Sequence, residues 1–185
     1  MSTQNILDRL QLFSDLYQAE RAVLKETPLF YDLYEAEIDA FICAAKHHRV
    51  PAGTRLLERG AANRSLFIVC HGEVEIARQR QFDDPETICR GAGEVFGEIS
   101  FLDDCPATVT VTARESTTVL ELDRETIAAL LDRNARLAMH FWRNLVVILR
   151  ARWANPWSDD VVVPTFPGMP QKMPQAQVAG GLAMV

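Results

Sequence analysis

The sequence has no long apolar run. Neither Ala40–Ala45 nor Leu145–Leu149 approaches the roughly 20 residues needed to span a bilayer. The opening ten residues carry Asp8 and Arg9 and no apolar segment, so no signal peptide is expected and a cytoplasmic protein is the default reading. Cysteine is scarce and scattered: Cys43, Cys70, Cys89 and Cys105 form no C-x-x-C pair, which removes zinc knuckles and dithiol redox motifs and leaves reduced, mostly buried thiols as the expectation. His47, His48, His71 and His140 make no H-x-H or H-E-x-x-H arrangement. A metal enzyme, a cupin-type metal barrel or an iron–sulfur or haem sensor therefore lacks its ligands, and neither a metal site nor catalytic residues are expected. Basic residues do not dominate either: 19 Lys and Arg face 25 Asp and Glu, a net charge of −6. That balance argues against nucleic acid or an anionic membrane surface as the main partner.

What is present is ordinary globular material. Hydrophobic residues make up 48% and charged residues 24% of the 185 positions, enough for one domain with extensions. Glycine placement divides the chain, because Gly53, Gly60, Gly72, Gly91, Gly93 and Gly97 all fall in one central stretch. Before it, Ile6, Leu7, Leu10, Phe13, Leu16, Tyr17 and Leu24 recur at helical spacing and predict a helix over 4–25, closed by Pro28. A shorter helix is expected from about Leu33 to Lys46, with Ile38, Phe41, Ile42 and Ala45 on one side.

Between Val50 and Asp123 the period becomes two. Val74 and Ile76 alternate with Glu73 and Glu75, and Val109, Val111 and Ala113 alternate with threonines, as half-buried strands do. Leu66–Cys70 is continuously apolar and reads as a central strand. Short glycine turns between such strands favour an antiparallel sandwich or barrel over βαβ units. Helical spacing then returns, first at Ile127, Leu130 and Leu131, then over about Ala135–Ala154. There Leu137, Phe141, Leu145, Ile148 and Leu149 form one stripe, and Trp142, Val146 and Trp153 widen it beyond a single contact face. From Asn155 the five prolines Pro156, Pro164, Pro167, Pro170 and Pro174, with Gly180 and Gly181, predict an extended tail.

The ordered series Thr27-Pro28-Leu29-Phe30, Pro51-Ala52-Gly53-Thr54, Glu58-Arg59-Gly60, Ser65-Leu66-Phe67-Ile68-Val69, Gly72-Glu73-Val74, Gly93-Glu94-Val95-Phe96-Gly97-Glu98-Ile99-Ser100 and Val119-Leu120-Glu121-Leu122-Asp123 resembles the cyclic nucleotide-binding domain. This is the sensor domain of the catabolite activator protein, protein kinase A regulatory subunits and cyclic-nucleotide-gated channels. The resemblance implies a mainly β fold, an antiparallel jelly-roll barrel with N-terminal helices and a long C-terminal helix. It divides the chain into a helical extension (1–26), the domain (27–154) and a Pro/Gly-rich tail (155–185). It also implies a ligand site at Phe96, Gly97, Glu98, Ile99, Ser100, Pro106, Ala107, Thr108 and Val109. In that site a glycine lets backbone N–H groups approach a phosphate, and Glu98 matches the glutamate that accepts from the ribose 2′-hydroxyl.

Two departures shape the functional expectation. In Pro106-Ala107-Thr108-Val109, Ala107 stands where the family places the arginine that pairs with the cyclic phosphate. Loss of one member of a buried charge pair weakens binding by about 2 to 5 kcal/mol. Arg90, Arg114 and Arg124 are the candidates to replace that charge. The second departure is the tail, too short and too poor in helix pattern for the winged helix-turn-helix of the family's transcription regulators. The favoured reading is a non-catalytic regulatory module with a degenerate pocket and no cofactor. It would act on a protein partner through the N-terminal helix, the long C-terminal helix or the tail, with a homodimer seam as one use of the Trp142 and Trp153 side. The alternative is a genuine receptor for cAMP or cGMP that signals through the same helix and tail.

Overall fold

The computed structural model describes residues 3–78 and 86–154; the predicted Pro/Gly-rich tail lies outside the described residues. Helix α1 (Thr3–Glu26) is followed by a single 3-10 turn (Pro28–Phe30), α2 (Glu35–Ala44) and eight short strands: β1 (Lys46–Val50), β2 (Arg55–Leu57), β3 (Ser65–His71), β4 (Val74–Arg78), β5 (Glu86–Arg90), β6 (Val95–Phe96), then, after α3 (Glu98–Asp103), β7 (Thr110–Ala113) and β8 (Thr117–Asp123). Helices α4 (Arg124–Leu131) and α5 (Ala135–Ala154) complete the chain. The strands form two antiparallel sheets, ordered β1-β8-β3-β6 and β2-β7-β4-β5, the predicted jelly-roll arrangement. The second helix ends two residues earlier than its apolar spacing suggested, because Lys46 already pairs with Glu121 of β8.

The continuous apolar run in β3 has a simple cause. Leu66, Ile68 and Cys70 face the helices, while Phe67 and Val69 face the second sheet. A strand covered on both sides needs no polar alternate positions. The inter-sheet core joins Phe67, Val69, Phe96, Ala107 and Val119 to Leu57, Val74, Ile76 and Val111. On the other face Leu66, Ile68, Leu120 and Leu122 meet Leu24 of α1, Phe41 of α2, Ile127 of α4 and Phe141 of α5. Phe41 is the hinge of that layer, edge-on to Phe30 at 5.2 Å and stacked on Phe141 at 5.6 Å.

Helix α1 packs on its own domain. Leu24 is fully buried, Tyr17 lies against the same core, and the buried Glu20 carboxylate meets His47 Nδ1 of β1 at 3.1 Å. The N-terminal half of α5 is fixed to the turn between α1 and α2. Asn144, fully buried, donates to the Leu29 carbonyl at 3.1 Å and the Tyr31 carbonyl at 2.7 Å, and Arg136 pairs with Glu37 at 2.9 Å. The expectation of mostly buried thiols is corrected: only Cys70 is buried, while Cys43 and Cys105 are exposed and Cys89 is intermediate. Cys43 is on the outer side of the last turn of α2, next to the buried Phe41 and Ile42, and Cys105 is in the loop after α3. Burial pushes the Cys70 thiol up to about 12, which keeps it protonated and unreactive. Among the described residues no helix is long and apolar enough to cross a membrane.

Phe41→Ala is expected to lower unfolding stability by about 3 to 5 kcal/mol, and Met139→Ala, at a position 60% exposed, by no more than about 0.5 kcal/mol. Urea unfolding of the two variants checks this; similar losses would contradict the assigned core.

Candidate functional site

The connection from β6 to α3 turns on Gly97, whose φ of 83° lies in the left-handed region favoured by glycine. A Cβ there would sit 2.6 Å from the Ser65 carbonyl oxygen, so close packing and backbone conformation both require glycine. Asn63 staples this turn to the start of β3. Its side-chain amide donates to Ser65 O at 2.8 Å and lies 3.0 Å from Ser100 Oγ, while its Oδ1 accepts from Ser65 N. The far end of α3 is held by charge. Asp104 accepts from Arg64 Nε at 2.9 Å and Arg124 Nη1 at 2.6 Å, and these guanidiniums hold its carboxyl below the usual range. Arg124 also donates to the Phe101 carbonyl. The six-residue cassette helix is thus fixed at both ends before any ligand arrives.

Glu98 opens α3 and is buried. Its Oε1 lies 2.5 Å from Arg152 Nη1, near the end of α5. The same guanidinium is 2.6 Å from Glu94 Oε1 and donates to the Val95 carbonyl. Glu94 also faces Arg90 at 3.8 Å. Burial raises the Glu94 carboxyl above its ordinary value, with Arg152 and then Arg90 opposing that rise and Glu98 adding to it. Arg152 stays protonated: its two carboxylate partners outweigh the burial that would lower it, and the net shift is upward.

The second half of the predicted site follows α3 in the chain. Ala107 is buried in the inter-sheet core beside Phe96, and its backbone pairs both ways with the turn after β2, Ala107 N donating to Ala61 O at 2.9 Å and Gly60 N to Ala107 O at 2.8 Å. Arg59 N donates to Thr110 Oγ1 at 3.2 Å. These links shape an open cleft of about 370 Å³ lined by Arg59, Gly60, Arg78, Ala107 and Thr108. Ala107 and Thr108 line the cleft, Pro106 is exposed beside it and Val109 is half-buried against the inter-sheet core. Phe96, stacked on Phe67 at 5.0 Å, is in the core, Gly97, Glu98 and Ser100 are buried at α3, and Ile99 is exposed on its outer side.

None of the three arginines considered as substitutes lines the cleft. Arg90 is engaged with Glu94, Arg114 with Glu73 and Cys89, and Arg124 with Asp104. Sequence reasoning missed Arg59, Arg78, Asn63 and Arg152. Two of them left a signal: Arg78 continues the inward face of Val74 and Ile76, and Arg152 lies at helical spacing on the buried stripe of Leu145 and Ile148. A charge on an apolar stripe calls for a partner.

Residues 47–134 match the family model described as the cyclic nucleotide-binding domain. Residues 47–134 belong to the cyclic nucleotide-binding domain family. It is 32% identical over 130 residues to the cyclic AMP receptor protein of Thermus thermophilus, covering 70% of this chain and 58% of that protein. It is 31% identical over 137 residues to the cAMP-dependent protein kinase regulatory subunit of Aspergillus fumigatus, covering 70% of this chain and 33% of that one. The solved Thermus thermophilus catabolite activator protein superposes with a TM-score of 0.63 at 30% identity, over 70% of this chain and 60% of that one. The chain thus spans less than two thirds of the length of each of these relatives.

For this cyclic nucleotide-binding domain, Arg152→Met should unfold more readily. It leaves Glu94 and Glu98 without their shared cation, and because Arg152 keeps 27% of its side-chain exposure, the loss should sit at the lower end of the about 3 to 5 kcal/mol typical of a broken buried pair. The sign of the pH effect follows from Glu94. A carboxyl raised in the folded state binds its proton more tightly than in the unfolded chain, so stability falls as pH rises through the folded value. Without Arg152 that rise is larger, and the gap between wild type and variant should be wider at pH 8 than at pH 5. Denaturant titrations at both pH values check it; a pH-independent gap would count against the charge cluster.

Proposed function

We propose that the chain is a non-catalytic regulatory module in which the cassette is not set to hold a cyclic nucleotide in the family's usual way, and that its output passes to a protein partner. The observation that carries this is the state of the two groups on which the cassette relies. The position of the phosphate-pairing arginine is Ala107, buried and tied by its backbone to Gly60 and Ala61. The ribose-accepting carboxylate, Glu98, is already engaged by Arg152. A cyclic nucleotide would have to do without the first and displace the second.

Support for partner-directed output comes from α5. Its outward side carries Met139 (60% exposed), Val146 (61%) and Trp153 (91%), with Trp142 beside them and Ile99 and Leu102 of α3 also exposed. Singly exposed apolar residues are common, but a group along one helix is the form an interaction surface takes. A protein partner or a second copy would cover it, with nucleic acid and membrane not called for. The N-terminal helix, already packed on its own core, offers less free apolar surface among its described side chains.

A second reading, a receptor for cAMP or cGMP, is favoured by the relatives, since the similar Thermus thermophilus protein is named a cyclic AMP receptor. Calorimetric titration with cAMP and cGMP separates the two. The expected result is that wild type binds either ligand about thirty-fold to several-thousand-fold more weakly than Ala107→Arg, whose new side chain has the adjacent cleft to enter. Saturable micromolar binding by wild type would overturn the proposal, and that arm stands even if the variant does not fold.

A further inference from the structure

The outward face of α5 and the residues that follow the helix are matched in length and chemistry. Met139, Trp142, Val146 and Trp153 are exposed, at 60%, 41%, 61% and 91%. Their steps of three, four and seven put them on one side of the helix. Trp142 is stacked on Phe101 at 6.3 Å, which brings α3 alongside, with its Ile99 and Leu102 also exposed. At about 1.5 Å per residue, the stretch from Trp153 back to Met139 is about 21 Å long. The chain continues from the Trp153 end of this face. Asn155-Pro156 is a turn-initiating pair that does not prolong a helix. Beyond it come Trp157, the run Val161-Val162-Val163-Pro164-Thr165-Phe166, and Met169, while Asp159, Asp160 and Lys172 are the only charged side chains in 155–185. Such a composition, apolar and nearly uncharged, lacks the high charge that favours a fully solvated segment.

We propose that residues 161–166 lie in extended form on this face of α5 and α3, so that the chain covers its own interaction surface. This rests on the reading above of the outward side of α5 as an interaction surface, and names what occupies it before a partner arrives. Reach permits it. After a turn at 155–157, extended residues advance about 3.3 Å each. Asp159 and Asp160 then come abreast of the exposed Arg150, an opposite charge, and 161–163 come abreast of Val146 and Trp142. Pro164 and Pro167 favour an extended backbone, which lowers the entropy lost when such a segment is laid on an apolar surface. A second copy is the competing occupant, and the tether decides between them. A short flexible linker holds its segment at an effective concentration of about 1 mM, so a second copy at micromolar concentration has to bind this face about a thousandfold more tightly to displace it. A protein partner meets the same competition, and the tail thereby sets the affinity that output requires.

The test is hydrogen–deuterium exchange, read by mass spectrometry, on the full chain and on its Val146→Asp and Phe166→Asp variants. Neither residue belongs to the core described above, so both variants should remain folded. In wild type, the amides of 161–166 are expected to exchange about tenfold more slowly than their intrinsic rate, the occupancy that an effective concentration of about 1 mM gives a segment of about 0.1 mM affinity. That protection is independent of protein concentration and is lost in both variants. A synthetic peptide of residues 157–170 should bind the Phe166→Asp chain about tenfold more tightly than wild type, whose face is already covered, and should not bind Val146→Asp. Exchange of 161–166 at the intrinsic rate in wild type, or protection that survives Val146→Asp, overturns the proposal. Protection that grows with protein concentration as the mass doubles also overturns it, by assigning the face to a second copy. The two proposals fail separately: micromolar cAMP binding by wild type overturns the reading of the cassette whatever the tail does, and unprotected tail amides overturn the tail assignment whatever cAMP does.

Discussion

The guanidinium of Arg152 is the point on which the two halves of this domain meet. It comes from the last turns of α5, yet it neutralises Glu94 before β6 and Glu98 at the head of α3, and it caps the Val95 carbonyl between them. Glu94 and Glu98 would otherwise stand close together in a half-dry environment, where like charges and burial both act against ionisation. One cation relieves both, so the conformation of the cassette and the position of the final helix are set by the same group. A buried pair of this kind contributes modest net stability but is costly to break on one side only. Any movement of α5 therefore has to be compensated at Glu98, and any new partner for Glu98 has to be compensated at α5.

The remainder of α5 explains why such a link transmits position rather than slack. Its N-terminal half is fixed by Asn144 to the backbone at Leu29 and Tyr31 and by Arg136 to Glu37, with the Arg136 guanidinium over the Tyr34 ring at 3.7 Å. Phe141 in the middle is stacked on Phe41 in the main core. Beyond Leu145 the helix is still held by buried side chains, Val147, Ile148 and Ala151, and Arg152 ties its end to Glu94, Val95 and Glu98 before the exposed Trp153.

The fold was legible in the sequence because its causes are local and periodic. The two-sided burial of β3 reads as an unbroken apolar run, the half-buried strands as alternation, and the helices as 3.6-residue spacing broken by Pro28 and the central glycines. Around the candidate site, the backbone turn at Gly97 was legible because its left-handed conformation and close approach to Ser65 leave room for no side chain. Side-chain direction was not legible. Glu98 can face a ligand or a helix with the same neighbours in sequence, and the choice is made by Arg152, which is 54 positions away in the numbering. Arg59 was hidden for the same reason, since the turn after β2 is stitched to Ala107, which lies far from it in sequence. The misjudged thiols show the converse error: a residue type that is often buried says little about a given copy at the edge of a helix or in a loop.

Phe96 links the surroundings of Ala107 to those of Glu98. Its ring packs in the inter-sheet core with Ala107, and its backbone lies between Val95, whose carbonyl Arg152 caps, and Gly97, which leads into Glu98. A change at Ala107 that displaced the Phe96 ring would press on a stacked neighbour, Phe67, in a core with little room to yield. Relief would come through β6, the shortest strand in the sheet, whose ladder to β3 joins only Phe67 to Phe96 and Ile68 to Val95. Coupling along that path needs no rearrangement of the barrel. It needs only that β6 moves relative to α5, and the contact that resists this is again Arg152.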